Sequence, residues 1–319
     1  MCSYCFEKGS PLSQMGGDHI NKSDIFNFVK NILNLYSPNE VDIIFSGGEP
    51  LMKFDLIKGI IDFFNKEYPV LKIRPILLTN GVLLDYNKID YLNRNEVRIK
   101  LSIDGDEKIN DVNRKFKNSE ESVYHNLLNK MSLIKKLGVA MVVLPKTLPS
   151  LYFSINNLYL LGVKRFYLNF EVVLSKWTQD DYSVLKEQLR KISDLYLMEK
   201  PPLFINYLEK NPGTNKNPCH TSFSQNIRFV LMPNGDVLPC LAGIMPISSE
   251  IYGSLKYGRI GDLKNEALHD IIHRKKEISK FAEQFESYIC YKKDAYGNLI
   301  KINNLLREEY EYVKSGKNI

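Results

Sequence analysis

From Val41 to about Asn169, short runs of β-branched and aliphatic residues alternate with longer stretches whose apolar positions recur every three or four residues. The first pattern suits strands buried on both faces, and the second suits helices that lay one face on a sheet. Strands are predicted at Val41 to Ser46, Ile73 to Thr79, Val97 to Ile103, Val139 to Leu144 and Arg165 to Asn169. Helices are predicted from Phe54 to Lys66 and from Glu120 to Leu137, with another from Asp24 to Leu35 ahead of the first strand. Parallel strands need crossover helices, and right-handed crossings wind such a series into a barrel or an open sheet. In either arrangement reactive groups belong at the C-terminal ends of the strands. The predicted ends are small or polar: Ser46-Gly47-Gly48-Glu49-Pro50, Thr79-Asn80-Gly81 and Ser102-Ile103-Asp104-Gly105.

A long helical pattern from Gln179 to Leu197 is followed by the breakers Lys200-Pro201-Pro202 and Asn211-Pro212-Gly213. These mark a predicted boundary between a domain over 1–200 and a smaller one over 201–319. In the second, Ile227 to Met232 and Asp236 to Cys240 form a predicted hairpin. It turns at Pro233-Asn234-Gly235, where Asn-Gly supplies the positive φ angles of a tight turn.

The 319 residues are 44% hydrophobic, enough for a sizeable core. The formal charge of +6 is spread without a long basic block, which argues against a nucleic-acid surface while leaving a basic rim for an acidic peptide. No apolar run is long enough to span a bilayer and no export signal is present, so the expectation is a cytoplasmic protein without a membrane partner. Five cysteines, an odd number outside an export context, point to metal ligation or burial rather than to a disulfide framework. Cys2 and Cys5 form a tight pair, whereas Cys219, Cys240 and Cys290 lie in the last third, which suggests two separate sites.

Cys2-Ser3-Tyr4-Cys5 on its own suits zinc or thiol redox chemistry as well as other metals. Glu49 follows a predicted strand behind two glycines, which let the backbone approach a ligand while a carboxylate faces a cationic group. A plain strand-to-helix turn started by Pro50 has the same sequence.

Taken together these residues resemble the radical S-adenosylmethionine superfamily, in which a C-x3-C-x2-C motif binds a 4Fe-4S cluster and a Gly-Gly-Glu-Pro motif grips the methionine amino group. Cys2 and Cys5 match the last two cysteines of the motif, with Tyr4 as the aromatic before the last. Gly47, Gly48, Glu49 and Pro50 match the second motif; Asn80, and Ser102 with Asp104, match later strand ends. Asn110-Asp111-Val112-Asn113-Arg114 resembles the family's His-Asp-x-x-Arg element, with Asn in place of His and with Arg114 as the residue that helps hold the cofactor carboxylate. The resemblance implies a partial (β/α)6 TIM-type barrel of α/β class, with its first strand and the first motif cysteine falling before Met1. It also implies an enzyme in which three thiolates leave one iron open for S-adenosylmethionine, whose reductive cleavage yields a 5′-deoxyadenosyl radical.

The last third is similar to the SPASM or Twitch extensions of enzymes that modify ribosomal peptides and of anaerobic sulfatase maturases. Cys219, Gly235-Asp236-Val237-Leu238-Pro239-Cys240, Ile260-Gly261-Asp262-Leu263 and Cys290 follow that pattern. This implies a smaller α+β C-terminal domain with at most one auxiliary iron-sulfur cluster, for which His220 is a candidate fourth ligand. Sulfatase maturases usually carry Asp after the hairpin cysteine; Leu241 stands there, which favours a peptide maturase. The implied partners are a precursor peptide or protein substrate and an electron donor such as flavodoxin or ferredoxin. A sulfatase-maturase-like enzyme, a non-catalytic peptide-binding relative and a zinc-stabilised α/β protein are the competing expectations. Trp177 and the aromatic run from Phe166 to Phe170 suit core packing and carry no site assignment.

Overall fold

The computed structural model describes residues 2–5, 20–116, 119–172, 174–198, 203–209, 229–238, 256–263 and 293–316. Cys219, His220, Pro239, Cys240, Leu241 and Cys290 lie outside the described residues, as do both predicted breaker segments.

Helix α1 (Lys22–Tyr36) starts where the Asn21 side chain accepts from the Asp24 N–H, and it ends in a left-handed Ser37. Five βα steps follow. They run β1 (Glu40–Phe45), α2 (Phe54–Glu67), β2 (Lys72–Thr79), α3 (Tyr86–Arg94), β3 (Arg98–Ser102), α4 (Glu107–Asn113), α5 (Val123–Met131), β4 (Leu137–Val143), α6 (Leu151–Leu160), β5 (Arg165–Phe170) and α7 (Gln179–Met198). A short strand β6 (Phe204–Ile205) leads into α8 (Asn206–Glu209). All six strands form one sheet in sequence order, and every pairing is parallel. Among the described residues the sheet is open, with β1 and β6 at its edges. The sixth strand comes from beyond residue 200, a region the sequence assigns to the second domain.

The predicted helix over Glu120 to Leu137 is shorter than its apolar periodicity suggests. Ser122 caps its start, and after Met131 the chain turns. Asn93 then holds the exit, its Nδ2 donating to the Leu133 carbonyl at 2.7 Å and its Oδ1 accepting from Lys135 N at 2.9 Å. Leu137 is thereby free to pair with Ile99 in the sheet. Pairing across the sheet outweighs local helix propensity here.

The main core lies between the sheet and its helices, where Leu77, Ile99, Leu101, Leu127, Ile155 and Phe166 are fully buried. Each such aliphatic side chain contributes about 1.5–3 kcal/mol on transfer from water. Helix α9 (Lys293–Gly316) adds Ile302, Leu306 and Val313 to the same core. It is fastened to α7 by the forked ion pair of Arg190 with the buried Glu309, and by Tyr312 Oη donating to Asp194 at 2.8 Å.

The hairpin expected in the last third is present as β7 (Val230–Leu231) and β8 (Asp236–Leu238), joined by β9 (Gly258–Arg259) into an antiparallel sheet. Val237, Ile260 and Leu263 pack with Ile25 and Phe28 of α1 in a second small core. Among the described residues no helix is long and apolar enough to cross a membrane.

Candidate functional site

Glu49 ties the ends of β1 and β2 together. Its Oε1 accepts from Thr79 Oγ1 at 2.6 Å and from Leu51 N at 3.0 Å, and its Oε2 accepts from Asn80 N at 2.9 Å. The two glycines before it are exposed, and Gly47 holds a φ of +132°, which an L side chain rarely adopts. A Cβ at Gly47 would meet no atom within 4 Å, so open space lies beside this turn. Pro50 starts a single 3-10 turn that leads into α2. Asn80 closes its own turn through Oδ1, which accepts from Val82 N at 2.9 Å.

The end of β3 is organised around Asp104, whose side chain is 1% exposed. Its Oδ1 accepts from Arg114 Nη2 at 2.9 Å and from Val142 N of β4 at 2.9 Å. Its Oδ2 accepts from Arg114 Nε at 2.9 Å and from the Tyr4 hydroxyl. These four donors fill the acceptor sites of a carboxylate. Asp104 therefore works inward, holding Arg114 and Tyr4, and has no lone pair left for a bound ligand. Ser102, half-buried at the last position of β3, sits beside it.

The Cys2–Cys5 segment is docked on this edge. Cys2 bridges to Arg114 in antiparallel fashion, and Ser3 N donates to the Asn113 carbonyl at 2.9 Å. Ser3 Oγ donates to Asn113 Oδ1 at 3.0 Å, and the Arg114 guanidinium lies 5.4 Å from the centre of the Tyr4 ring. Arg114 Nη1 reaches Cys2 Sγ at 3.4 Å. Cys2 and Cys5 are both half-buried free thiols. Burial pushes the Cys2 thiol up, against the pull of Arg114. Burial and then Asp104 push the Tyr4 hydroxyl up. For Arg114 burial acts downward most strongly, but Asp104 with Tyr4 and Cys2 together overcome it and the guanidinium stays charged.

The geometry thus brings Cys2, Tyr4, Cys5, Ser102, Asp104 and Arg114 together at one strand end, with Gly47 to Pro50 and Asn80 on the two strands before it. Two further residues matter here. Asn110, where the resemblance expects His, is wholly buried, and its Oδ1 accepts from Asp104 N at 3.2 Å. Asn113 is 1% exposed, and its Nδ2 has no partner. The run Asn110 to Arg114 carried the signal for both, but their roles depend on how α4 folds back over β3.

No family model matches the chain. It is 28% identical over 257 residues to an uncharacterized protein of Methanocaldococcus jannaschii, a match that spans 76% of this chain and 84% of that protein. It is 30% identical over 118 residues to the cysteine-type anaerobic sulfatase-maturating enzyme of Clostridium perfringens, spanning 36% of this chain and only 32% of that enzyme. Among solved structures, native anSMEcpe with bound AdoMet and Kp18Cys peptide superposes with a TM-score of 0.67 at 20% identity, over 84% of this chain and 75% of that one. Streptococcus suis SuiB bound to precursor peptide SuiA gives a TM-score of 0.51 at 19% identity, over 76% of this chain and 56% of that one. At such identities the shared property is the fold.

Proposed function

We propose that the chain is a radical S-adenosylmethionine enzyme that modifies a ribosomally made peptide or protein. The observation that carries this is the docking of the Cys2–Cys5 segment on Arg114 and Asp104, beside the strand ends that bear Gly47 to Pro50, Asn80 and Ser102. Solved structures of the same fold hold AdoMet and a peptide, which supports the reading.

The residues fit such a cofactor set in part. Among the described residues no three His, Cys, Asp or Glu side chains converge. Cys2 and Cys5 supply two thiolates, and Arg114 Nη1 already faces the sulfur of Cys2. Asn113 Nδ2 is a buried donor without an acceptor beside the same segment. Cys2 and Cys5 would hold the 4Fe-4S cluster, and Glu49, Ser102 and Arg114 would hold S-adenosylmethionine. Bound there, the cluster would supply the electron for reductive cleavage of S-adenosylmethionine.

The protein's own part is positioning. Three of the five guanidinium N–H groups of Arg114 are spent on Asp104 and Cys2, which fixes its plane and leaves two for a ligand carboxylate. Glu49, held by three donors, keeps the exposed Gly47-Gly48 backbone in one conformation at the edge. Cys219, Cys240 and Cys290 complete the proposal as ligands of one auxiliary cluster in a C-terminal domain over 201–319, with flavodoxin or ferredoxin as the electron source. The sulfatase-maturase reading has the 118-residue match in its favour and Leu241 against it.

The test is anaerobic reconstitution with iron and sulfide, followed by S-adenosylmethionine and dithionite. Bound iron with release of 5′-deoxyadenosine is expected. Protein that binds no iron under these conditions overturns the proposal and leaves a peptide-binding role.

A further inference from the structure

Strand β3 divides its residues between two environments. Ile99 and Leu101 are fully buried in the main core, while Arg98, Lys100 and Ser102 take the opposite face and stay half-buried. On that face Lys100 is in register with Gly138 of β4, and Ala140 of β4 is in register with Tyr167 of β5. The Lys100 ammonium lies 3.5 Å from the centre of the Tyr167 ring, two strands away. Gly138 makes this reach available, because a Cβ there would stand 2.9 Å from Tyr167 Cε2 and 3.5 Å from Arg165 Cβ. The Arg165 guanidinium lies 5.3 Å from the Phe204 ring centre on β6.

Arg98, Lys100 and Arg165 share this face, and the acidic groups of the neighbouring strands are already paired with other cations. Glu40 pairs with Lys72 and Arg74, Asp42 pairs with Arg74, and Asp104 pairs with Arg114. Half-buried like charges without a counter-ion oppose folding, and such local conflicts mark functional surfaces. The Lys100 ammonium is pushed down to about 8, by burial first and then by Arg98, with Asp42 opposing. Among the described residues the cations of this face outnumber its anions, since Glu40 and Asp42 are already paired with Lys72 and Arg74.

We propose that Arg98, Lys100 and Arg165 receive a carboxylate of the substrate, an acidic side chain or a chain terminus, about 7 Å along the strand from Ser102. This rests on the peptide-modifying reading. The carboxylate would sit against the Tyr167 edge between the cations, so the rest of the substrate would lie toward the strand ends where the thiols are docked. Specificity for an acidic residue at a fixed distance from the modified position follows.

The test measures labelling of Lys100 by reductive methylation, read peptide by peptide in a mass spectrometer. Acetyl-Glu-Glu-Glu-amide, its Gln counterpart and glutarate serve as probes. The Glu peptide is expected to slow Lys100 labelling at least roughly tenfold, the Gln peptide is not, and Lys66, whose side chain is 85% exposed, should label alike with each. Anisotropy of the labelled Glu peptide gives a second reading: Lys100→Gln and Arg98→Gln should each weaken binding roughly tenfold, with Lys66→Gln unchanged. Equal protection by Glu and Gln peptides, equal slowing at Lys66, or no protection at all overturns the subsite. Protection by glutarate and not by the Glu peptide upholds the carboxylate subsite and overturns the peptide reading.

Discussion

Replacing Asp104 by Asn keeps the shape of the side chain and removes its charge, at a point where Arg114 is 9% exposed and Asp104 is 1% exposed. The Val142 N–H can still donate to the amide oxygen. The amide nitrogen, however, now faces Arg114 Nε, so two donors meet where a donor met an acceptor. The guanidinium keeps its charge in a buried place with no counter-ion, a situation that costs about 3–5 kcal/mol. That is a large share of the about 5–15 kcal/mol by which a domain exceeds its unfolded state. Urea unfolding of the metal-free chain at pH 7 measures the loss, and reaction of Cys2 and Cys5 with Ellman's reagent reports on the docked segment, which Asp104 holds through Tyr4 and Arg114. Faster thiol reaction is expected alongside the lower stability. The double change Asp104→Leu with Arg114→Met should recover much of the stability, since a buried pair replaced whole by apolar groups is often neutral. An Asp104→Asn variant within about 1 kcal/mol of the parent, with unchanged thiol reactivity, refutes the reasoning.

Gly81→Ala should cost about 1–3 kcal/mol or more in urea unfolding, because its φ is +74° and a Cβ would come 2.7 Å from Leu127 Cδ2 and 2.8 Å from Leu101 Cδ2; an unchanged midpoint would contradict this. Arg190→Met should destabilise the α7–α9 contact more than Glu309→Met, since the first strands a carboxylate that is 1% exposed while the second releases a cation that is already 45% exposed; the reverse order in thermal unfolding counts against it. Lys100→Met should stabilise the protein at pH 7. The folded lysine loses its proton near 8 and the unfolded one near 10.5, so the native state binds fewer protons between these values and stability gained by the parent rises through that window. The advantage of the variant should therefore shrink from pH 8 to 10.5, with Arg98, Asp42 and Tyr167 as the facing groups, and an advantage that does not change with pH would be inconsistent with it.

The strands were legible because runs such as Val139 to Leu144 are apolar throughout, with Val139, Met141, Val143 and Leu144 buried and Ala140 and Val142 half-buried. Ends shifted by a residue or two because pairing sets them, as when Leu137 joined β4. Helices α3 and α6 were missed for different reasons. Tyr86 to Arg94 is too short and polar to stand out, and Leu151 to Leu160 is nearly apolar around its circumference, which hides its period. The long α9 was missed although Ile302, Leu306 and Val313 recur at helical spacing, because the buried Glu309 interrupts the apolar stripe that would mark it. At the site, motif residues were legible as types, but their bonding was not. Asp104 carries no sequence mark that tells a ligand-binding carboxylate from one spent on Arg114, Tyr4 and Val142, since those partners lie 10, 100 and 38 positions away. The floor of Lys100, Gly138 and Tyr167 was invisible for the same reason, being assembled from three strands.

The fastening of the first cysteines to Asp104 also sets an order of events. Tyr4 and Cys2 meet their partners across 100 and 112 positions, and Asp104 is itself fixed by a donor on β4. Closing loops of that length carries an entropy penalty that nothing local repays, so these contacts form late. The thiols acquire a fixed address only after β3 and β4 have joined. A chain in which β3 and β4 have not joined carries Cys2 and Cys5 unplaced, so any ligand that needs both thiols together has to wait for the finished fold.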